Sequence, residues 1–188
     1  SGAKPILVIT GGAGYVGSTL VRDALAEGWH VRCLDLLVYG GGSLVGFMNH
    51  PNFELIRGDV RDSSDVSKAT TGVQAVVHLA AVVGDKPSMV APKSTYSINF
   101  KGTQILVEAC KNNGVERFVF ASTCSNYGIS DTSVPATEDR PVNPVSLYAE
   151  TKVDCESYLQ AESNGNFHAV SLRFGTAFGI SFRTRFDL

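Results

Sequence analysis

Residues 10–17 read Thr-Gly-Gly-Ala-Gly-Tyr-Val-Gly, directly after the apolar run Pro5-Ile6-Leu7-Val8-Ile9 and directly before a helix-like stretch. This is a glycine loop that carries a strand into a helix, the form in which a protein holds a dinucleotide pyrophosphate. Gly11 permits the tight turn, Gly14 lets the backbone approach the phosphates, and Gly17 lets the helix pack close to the strand. The helix N-terminus adds unpaired N–H groups and a partial positive charge. A glycine triplet alone is weak evidence, because glycine-rich turns are common. Here a second apolar run, His30-Val31-Arg32-Cys33-Leu34, closes on Asp35, whose carboxylate can accept both ribose hydroxyls of an adenosine.

Working outward, 188 residues suit one domain with a full-size core. The composition, 44% hydrophobic and 18% charged, is that of a soluble globular chain. A net charge of −2, with no block of Lys or Arg, gives no electrostatic case for nucleic acid. Cys33, Cys110, Cys124 and Cys155 lie far apart, without a Cys-x-x-Cys pair or a His pattern. They read as reduced thiols in a cytoplasmic setting, not as disulfides or a metal site. No signal-peptide pattern precedes the first strand, and Val73 to Val83 is too short and too polar to span a bilayer. Ser1-Gly2 reads as a scar of tag cleavage.

Short β-branched runs alternate with longer helical patterns, which argues for parallel strands joined by crossover helices. The expected strands are 5–10, 30–35, 53–57, 74–79, 117–122 and 167–173. The expected helices are 15–27, ending at Gly28, then 94–113, ending at Gly114, and 146–163, with Pro144 just ahead. Residues 36–51, with Gly40-Gly41-Gly42, read as a long mobile loop, and 128–143 as an irregular acidic excursion that includes Asp131, Glu138 and Asp139. The predicted fold is α/β: a doubly wound parallel sheet of the Rossmann kind in three layers, α/β/α. Ligands then belong at the carboxyl ends of the strands. Asp35, Asp59, Leu79-Ala80-Ala81, Ser122-Thr123 and Arg173-Phe174-Gly175 should share that edge.

Tyr148 and Lys152 stand four apart at the start of an expected helix, hence on one face. A phenol with pKa near ~10 is a poor base at neutral pH. A nearby ammonium favours the phenolate and lets the pair exchange a proton with a substrate hydroxyl. Thr123, at the end of the fifth strand, can orient the same oxygen. Cys124 and His78 read more simply as packed residues than as a nucleophile and a base.

Taken in order, these motifs resemble the extended short-chain dehydrogenase/reductase family, in its NAD-dependent nucleotide-sugar epimerase/dehydratase branch. The residues that carry the resemblance are Thr10-Gly11-x-x-Gly14-x-x-Gly17, Asp35, Gly58-Asp59-Val60, His78-Leu79-Ala80-Ala81, Asn99, Ser122-Thr123-x-x-x-Tyr127-Gly128, Tyr148-x-x-x-Lys152, and Leu172-Arg173 followed by Gly179. The resemblance implies that the Gly11 loop with Tyr15 and Val16 holds the pyrophosphate of NAD, and Asp35 the adenosine ribose. It implies that Asp59 and Val60 flank the adenine and that Leu79, Ala80 and Ala81 line the path to the nicotinamide. It implies that Asn99 supports the site from the long helix. Tyr148 is then the acid/base, Lys152 also holds the nicotinamide ribose, and Thr123 hydrogen-bonds the reacting hydroxyl, so that hydride transfer leaves a keto-sugar.

Within that family, Asp35 repels a 2′-phosphate, which favours NAD over NADP and an epimerase over a reductase. Sugar dehydratases of the family usually carry Asp-Glu after the active-site threonine, whereas Cys124-Ser125 follows Thr123 here. Thr176 stands at a sugar-diphosphate contact where many members carry asparagine, and Asn126 where an apolar residue is common. Arg183 and Arg185 read as a solvated loop. Family members normally continue for a further substrate domain, so the expectation is one NAD-binding domain over 1–188, with its core at 3–180 and the small substrate domain largely absent. Two other readings stand beside the epimerase: a non-catalytic NAD-binding module, and a reductase of small carbonyl compounds. A nucleotide-sugar substrate and a homodimer through helices 94–113 and 146–163 follow from the resemblance.

Overall fold

The computed structural model describes residues 4–129 and 135–184. It contains six parallel strands: β1 Ile6–Thr10, β2 His30–Asp35, β3 Phe53–Arg57, β4 Ala75–His78, β5 Arg117–Thr123 and β6 His168–Phe174. Their order is β3-β2-β1-β4-β5-β6, so the chain reverses direction across the sheet between β1 and β4. This is the doubly wound order of a dinucleotide-binding fold. The β2 and β3 bounds match the sequence reading, and the others move by a residue. Pro5 has no N–H for the ladder, and β1 starts after it.

Six α-helices serve as crossovers: α1 Tyr15–Ala26, α2 Ser63–Thr70, α3 Asp85–Val90, α4 Pro92–Tyr96, α5 Gly102–Asn112 and α6 Leu147–Glu162. The expected helix 94–113 is α4 and α5 joined through a π-turn, Ser97–Lys101. The α2 segment is too polar and short for its periodicity to stand out, but Asp62 caps it, accepting from the amides of Ser64 and Asp65. The span 36–51 is not a bare loop. It holds a 3₁₀ turn, Gly42–Phe47, anchored by fully buried Leu44.

Two hydrophobic clusters flank the sheet. One joins Val8, Leu34, Val76, Phe118 and Phe120 to α2, α5 and α6. The other joins Leu7, Ile9, Val31 and Cys33 to α1 and the 3₁₀ turn. Among the described residues, the cover on that second face runs from β3 to β4. Along β6, Val170, Leu172 and Phe174 stay 40–53% exposed, although the residues between them are partly covered. Residues 130–134 and 185–188, and with them Asp131 and Arg185, lie outside the described residues.

Candidate active site

The glycine loop leaves β1 at Thr10 and enters α1 at Gly14, which stands at the N-cap without a side-chain cap. Among the described residues, the amides of Tyr15 and Val16 meet no acceptor. A glycine cap therefore leaves the first turn open to an anion. Gly11 has φ +72°, and a Cβ there would lie 2.7 Å from the Ala80 amide nitrogen. A Cβ on Gly17 would lie 2.2 Å from the Gly11 carbonyl. The loop, α1 and the end of β4 thus close on one another as a cradle with no room for side chains. Asp35 accepts from the amides of Ala13 (2.9 Å) and Leu37 (2.8 Å), one on each oxygen, which leaves a lone pair on each for a diol.

The carboxyl ends of the neighbouring strands meet this cradle. The Thr10 hydroxyl accepts from the amides of Leu79 and Ala80, and the Leu79 amide also reaches the Thr10 carbonyl. Asn99, on the π-turn, accepts from the Val82 amide (2.8 Å) and donates to the Val82 carbonyl (3.0 Å) and to Thr151 (3.2 Å). It therefore ties the segment after β4 to α6. Asp59 is occupied by Arg61, whose guanidinium hydrogen-bonds hold its carboxyl below the usual range. The side chain of Val60 is core, packed beside Gly102, so at the crevice Val60 can offer only backbone.

Thr123 ends β5, and its hydroxyl accepts from the Ser125 amide, capping the 3₁₀ turn Cys124–Tyr127. Tyr148 lies in the first turn of α6, which Ser146 caps, and Thr123 is among the groups that act on its phenol. Burial pushes the Tyr148 phenol above its ordinary value; Thr123 lowers it, while Cys124 and Asp85 push it up. Lys152 is not among the groups that shift this pKa. The Lys152 ammonium donates to the Ala121 carbonyl at 2.7 Å, and its nitrogen is 5.9 Å from the centre of the Tyr148 ring. Burial lowers Lys152 to about 8, with Cys155 and Glu156 opposing, so it remains largely charged at neutral pH.

The remaining sequence-derived residues fall outside this cluster. Thr176 is exposed beyond β6. The segment that follows returns to α1: Tyr15 donates to the Gly179 carbonyl at 2.6 Å, and Ser181 donates to the Tyr15 carbonyl at 2.6 Å. Arg183 is not simply solvated, since its guanidinium stacks 4.1 Å over the Tyr39 ring. The segment after β6 thus packs back against the first turn of α1.

The model of the NAD dependent epimerase/dehydratase family matches residues 7–187. The chain belongs to that family. It is 34% identical over 178 residues to the UDP-glucose 4-epimerase of Lactobacillus helveticus, covering 93% of this chain and 52% of that protein. The structure of the UDP-glucose 4-epimerase of Thermus thermophilus in complex with NAD is similar at TM-score 0.80 and 35% identity, over 89% of this chain and 54% of that one. The dTDP-glucose 4,6-dehydratase DesIV of Streptomyces venezuelae, solved with NAD bound, is similar at TM-score 0.78 and 34% identity, over 83% and 51%. The chain spans about half the length of these relatives.

Several residues at the crevice take roles that the sequence did not assign to them, and Glu156 was not singled out at all. Thr10 stitches β1 to β4 through its side chain, a role signalled only by its place at the end of the strand. Gly12 is pressed onto Cys33, where a Cβ would lie 2.4 Å from the sulfur. Glu156 and Arg173 form a part-buried ion pair behind Thr123, joined by Ser122 and Asn126. No periodicity in the sequence distinguishes Glu156 from the other acids of α6.

Proposed function

We propose that this chain binds NAD across the β1/β4 crevice and carries the hydroxyl-oxidising half of a nucleotide-sugar epimerase. The observation that carries the reading is the meeting of Thr123 and Tyr148 at the carboxyl end of β5, with Lys152 one turn further along α6, on the same sheet edge as the glycine loop. The cradle fits NAD: the open amides of Tyr15 and Val16 would take the pyrophosphate, and Asp35 the adenosine ribose. Leu79, Ala80 and Ala81 lie between that cradle and β5, along the path toward the nicotinamide. When bound, NAD supplies the hydride acceptor and a positive ring. Thr123 holds the sugar hydroxyl and Tyr148 takes its proton, which requires the phenol to titrate below its present raised value. The ammonium of Lys152, once turned from Ala121 toward a bound ribose, acts in that direction.

The substrate class is inferred from relatives that act on UDP-sugars, with UDP-glucose as the first probe. Epimerisation is favoured over dehydration because Cys124 and Ser125 supply no carboxylic acid beside Thr123, although a dehydratase is among the similar structures. One second reading, a module that binds NAD without turnover, is favoured by Lys152 being turned onto the Ala121 carbonyl. Among the described residues no helix is long and apolar enough to cross a membrane. Buried, unpaired Cys33, Cys110 and Cys155 fit a reducing, cytoplasmic setting.

NAD titration followed by an epimer assay on UDP-glucose tests the reading. Saturable NAD binding with epimer formation that Tyr148→Phe abolishes is the expected result. Binding without turnover assigns the chain to the second reading, and absence of NAD binding overturns both.

A further inference from the structure

Helix α6 carries three polar side chains one turn apart, Tyr148, Lys152 and Glu156, and only the first two have a place in the chemistry above. The Glu156 side chain is 13% exposed. One carboxylate oxygen accepts from the Ser122 hydroxyl, the Asn126 amide at 2.8 Å and Arg173 Nε at 3.1 Å. The other accepts from Arg173 Nε at 3.1 Å and Nη2 at 2.7 Å. The donors come from three different places: the end of β5, the 3₁₀ turn, and β6. Arg173 is itself braced, donating to the Tyr127 hydroxyl at 3.0 Å and stacking on that ring at 4.9 Å.

We propose that Glu156 is a positioning residue, whose carboxylate fixes α6 against the end of β5 so that Tyr148 and Thr123 meet on one substrate oxygen. The proposal rests on the roles assigned to those two residues above. Ser122 is the neighbour of Thr123, and Asn126 lies in the turn that Thr123 caps, so Glu156 holds both flanks of the threonine. Asn126 shows the strength of the hold. Its amide nitrogen faces Glu156 and Ser122, which leaves its buried carbonyl oxygen without a partner among the described residues. An orphaned buried acceptor is unfavourable, and the carboxylate is what keeps the amide turned that way. A part-buried ion pair adds little net stability, so the geometric effect is the one to measure.

The groups facing Tyr148 are Thr123 from β5, Cys124 from the 3₁₀ turn, Asp85 from α3, and Lys152 on its own helix. Glu156 is not among the charges that shift it. Thr123 lowers the phenol's pKa, so drawing it away from the phenol moves the midpoint up. Glu156 also acts on Lys152, and the double variant with Thr123→Val separates the two routes.

The experiment reads the ultraviolet phenolate absorbance of the full chain against pH, with the same chain carrying Tyr148→Phe subtracted to isolate Tyr148. Glu156→Gln is expected to raise the Tyr148 midpoint, and Thr123→Val to raise it as well. The two together should raise it no further than Thr123→Val alone. Ser122→Ala, which keeps the ion pair and is the milder change, should raise it by less. A lowered melting temperature with the Tyr148 midpoint unmoved, or additive shifts in the double variant, overturns the proposal. NAD titration of the same proteins separates the two readings, since loss of binding in the parent chain sinks the proposed function without touching the Tyr148 midpoints.

Discussion

His78 is fully buried between Thr10 and Thr103, and the surrounding hydrogen bonds decide its tautomer. The Thr10 oxygen already accepts from two amides, so its proton goes to His78 Nδ1 at 2.6 Å. The Thr103 hydroxyl donates to the Asn99 carbonyl at 2.6 Å, so it accepts from Nε2–H at 3.0 Å. A neutral ring satisfies every partner. Burial lowers the pKa to about 3, and the Lys152 charge acts in the same direction. In the unfolded chain the ring takes a proton below about 6.5, so acid favours unfolding. Stability is then full above that value and falls by on the order of 1 kcal/mol per pH unit from about 6.5 toward 3. Urea unfolding at stepped pH should show this slope in the parent chain, and His78→Gln should flatten it.

At the scale of elements, the helices that build the site begin and bend where a side chain or a missing one dictates. Helix α1 starts on a glycine, which leaves its amides open to a ligand, whereas α2 starts on Asp62, which closes two of them. Asp62→Ala should therefore lower stability by about 1 kcal/mol, the usual worth of such a cap. Chemical denaturation of the variant beside the parent chain should show it. The π-turn between α4 and α5 has the opposite character. It brings Asn99 onto Val82 and Thr151, while the Asn99 carbonyl accepts from Thr103 and Cys155. A widened turn of this kind often marks a functional position in a helix.

Across the whole molecule, coverage of the sheet is unequal. The face under α2, α5 and α6 is closed, and its outer surface carries an aromatic row: Tyr96 against Phe100 at 5.3 Å, then Phe100 against Tyr158 at 6.3 Å. Tyr96 is 40% exposed, and such rings gain from burial against a partner. On this row of rings we propose a homodimer through helices 94–113 and 146–163. Sedimentation should find a dimer at micromolar concentration that Tyr96→Glu with Tyr158→Glu converts to monomer; a parent chain that sediments only as monomer counts against it.

The order of the strands along the chain, the glycine loop with its acid, and the candidates Thr123, Tyr148 and Lys152 were legible in the sequence. These are local signals. Buried strands such as Ile6–Thr10 are near-continuous apolar runs, and the tight turns at Gly11 and Gly17 admit no side chain. The polar α2 and the 3₁₀ turn around Leu44 escaped, because neither carries a long apolar period. What surrounds those candidate groups was set by the folded chain. It turned Lys152 onto Ala121, left Tyr148 with a raised pKa, placed Val60 in the core, and set Glu156 between β5, β6 and α6. Those outcomes depend on distances between residues far apart in sequence. Burial and hydrogen bonding act through such distances, and the order of residues along the chain does not encode them locally.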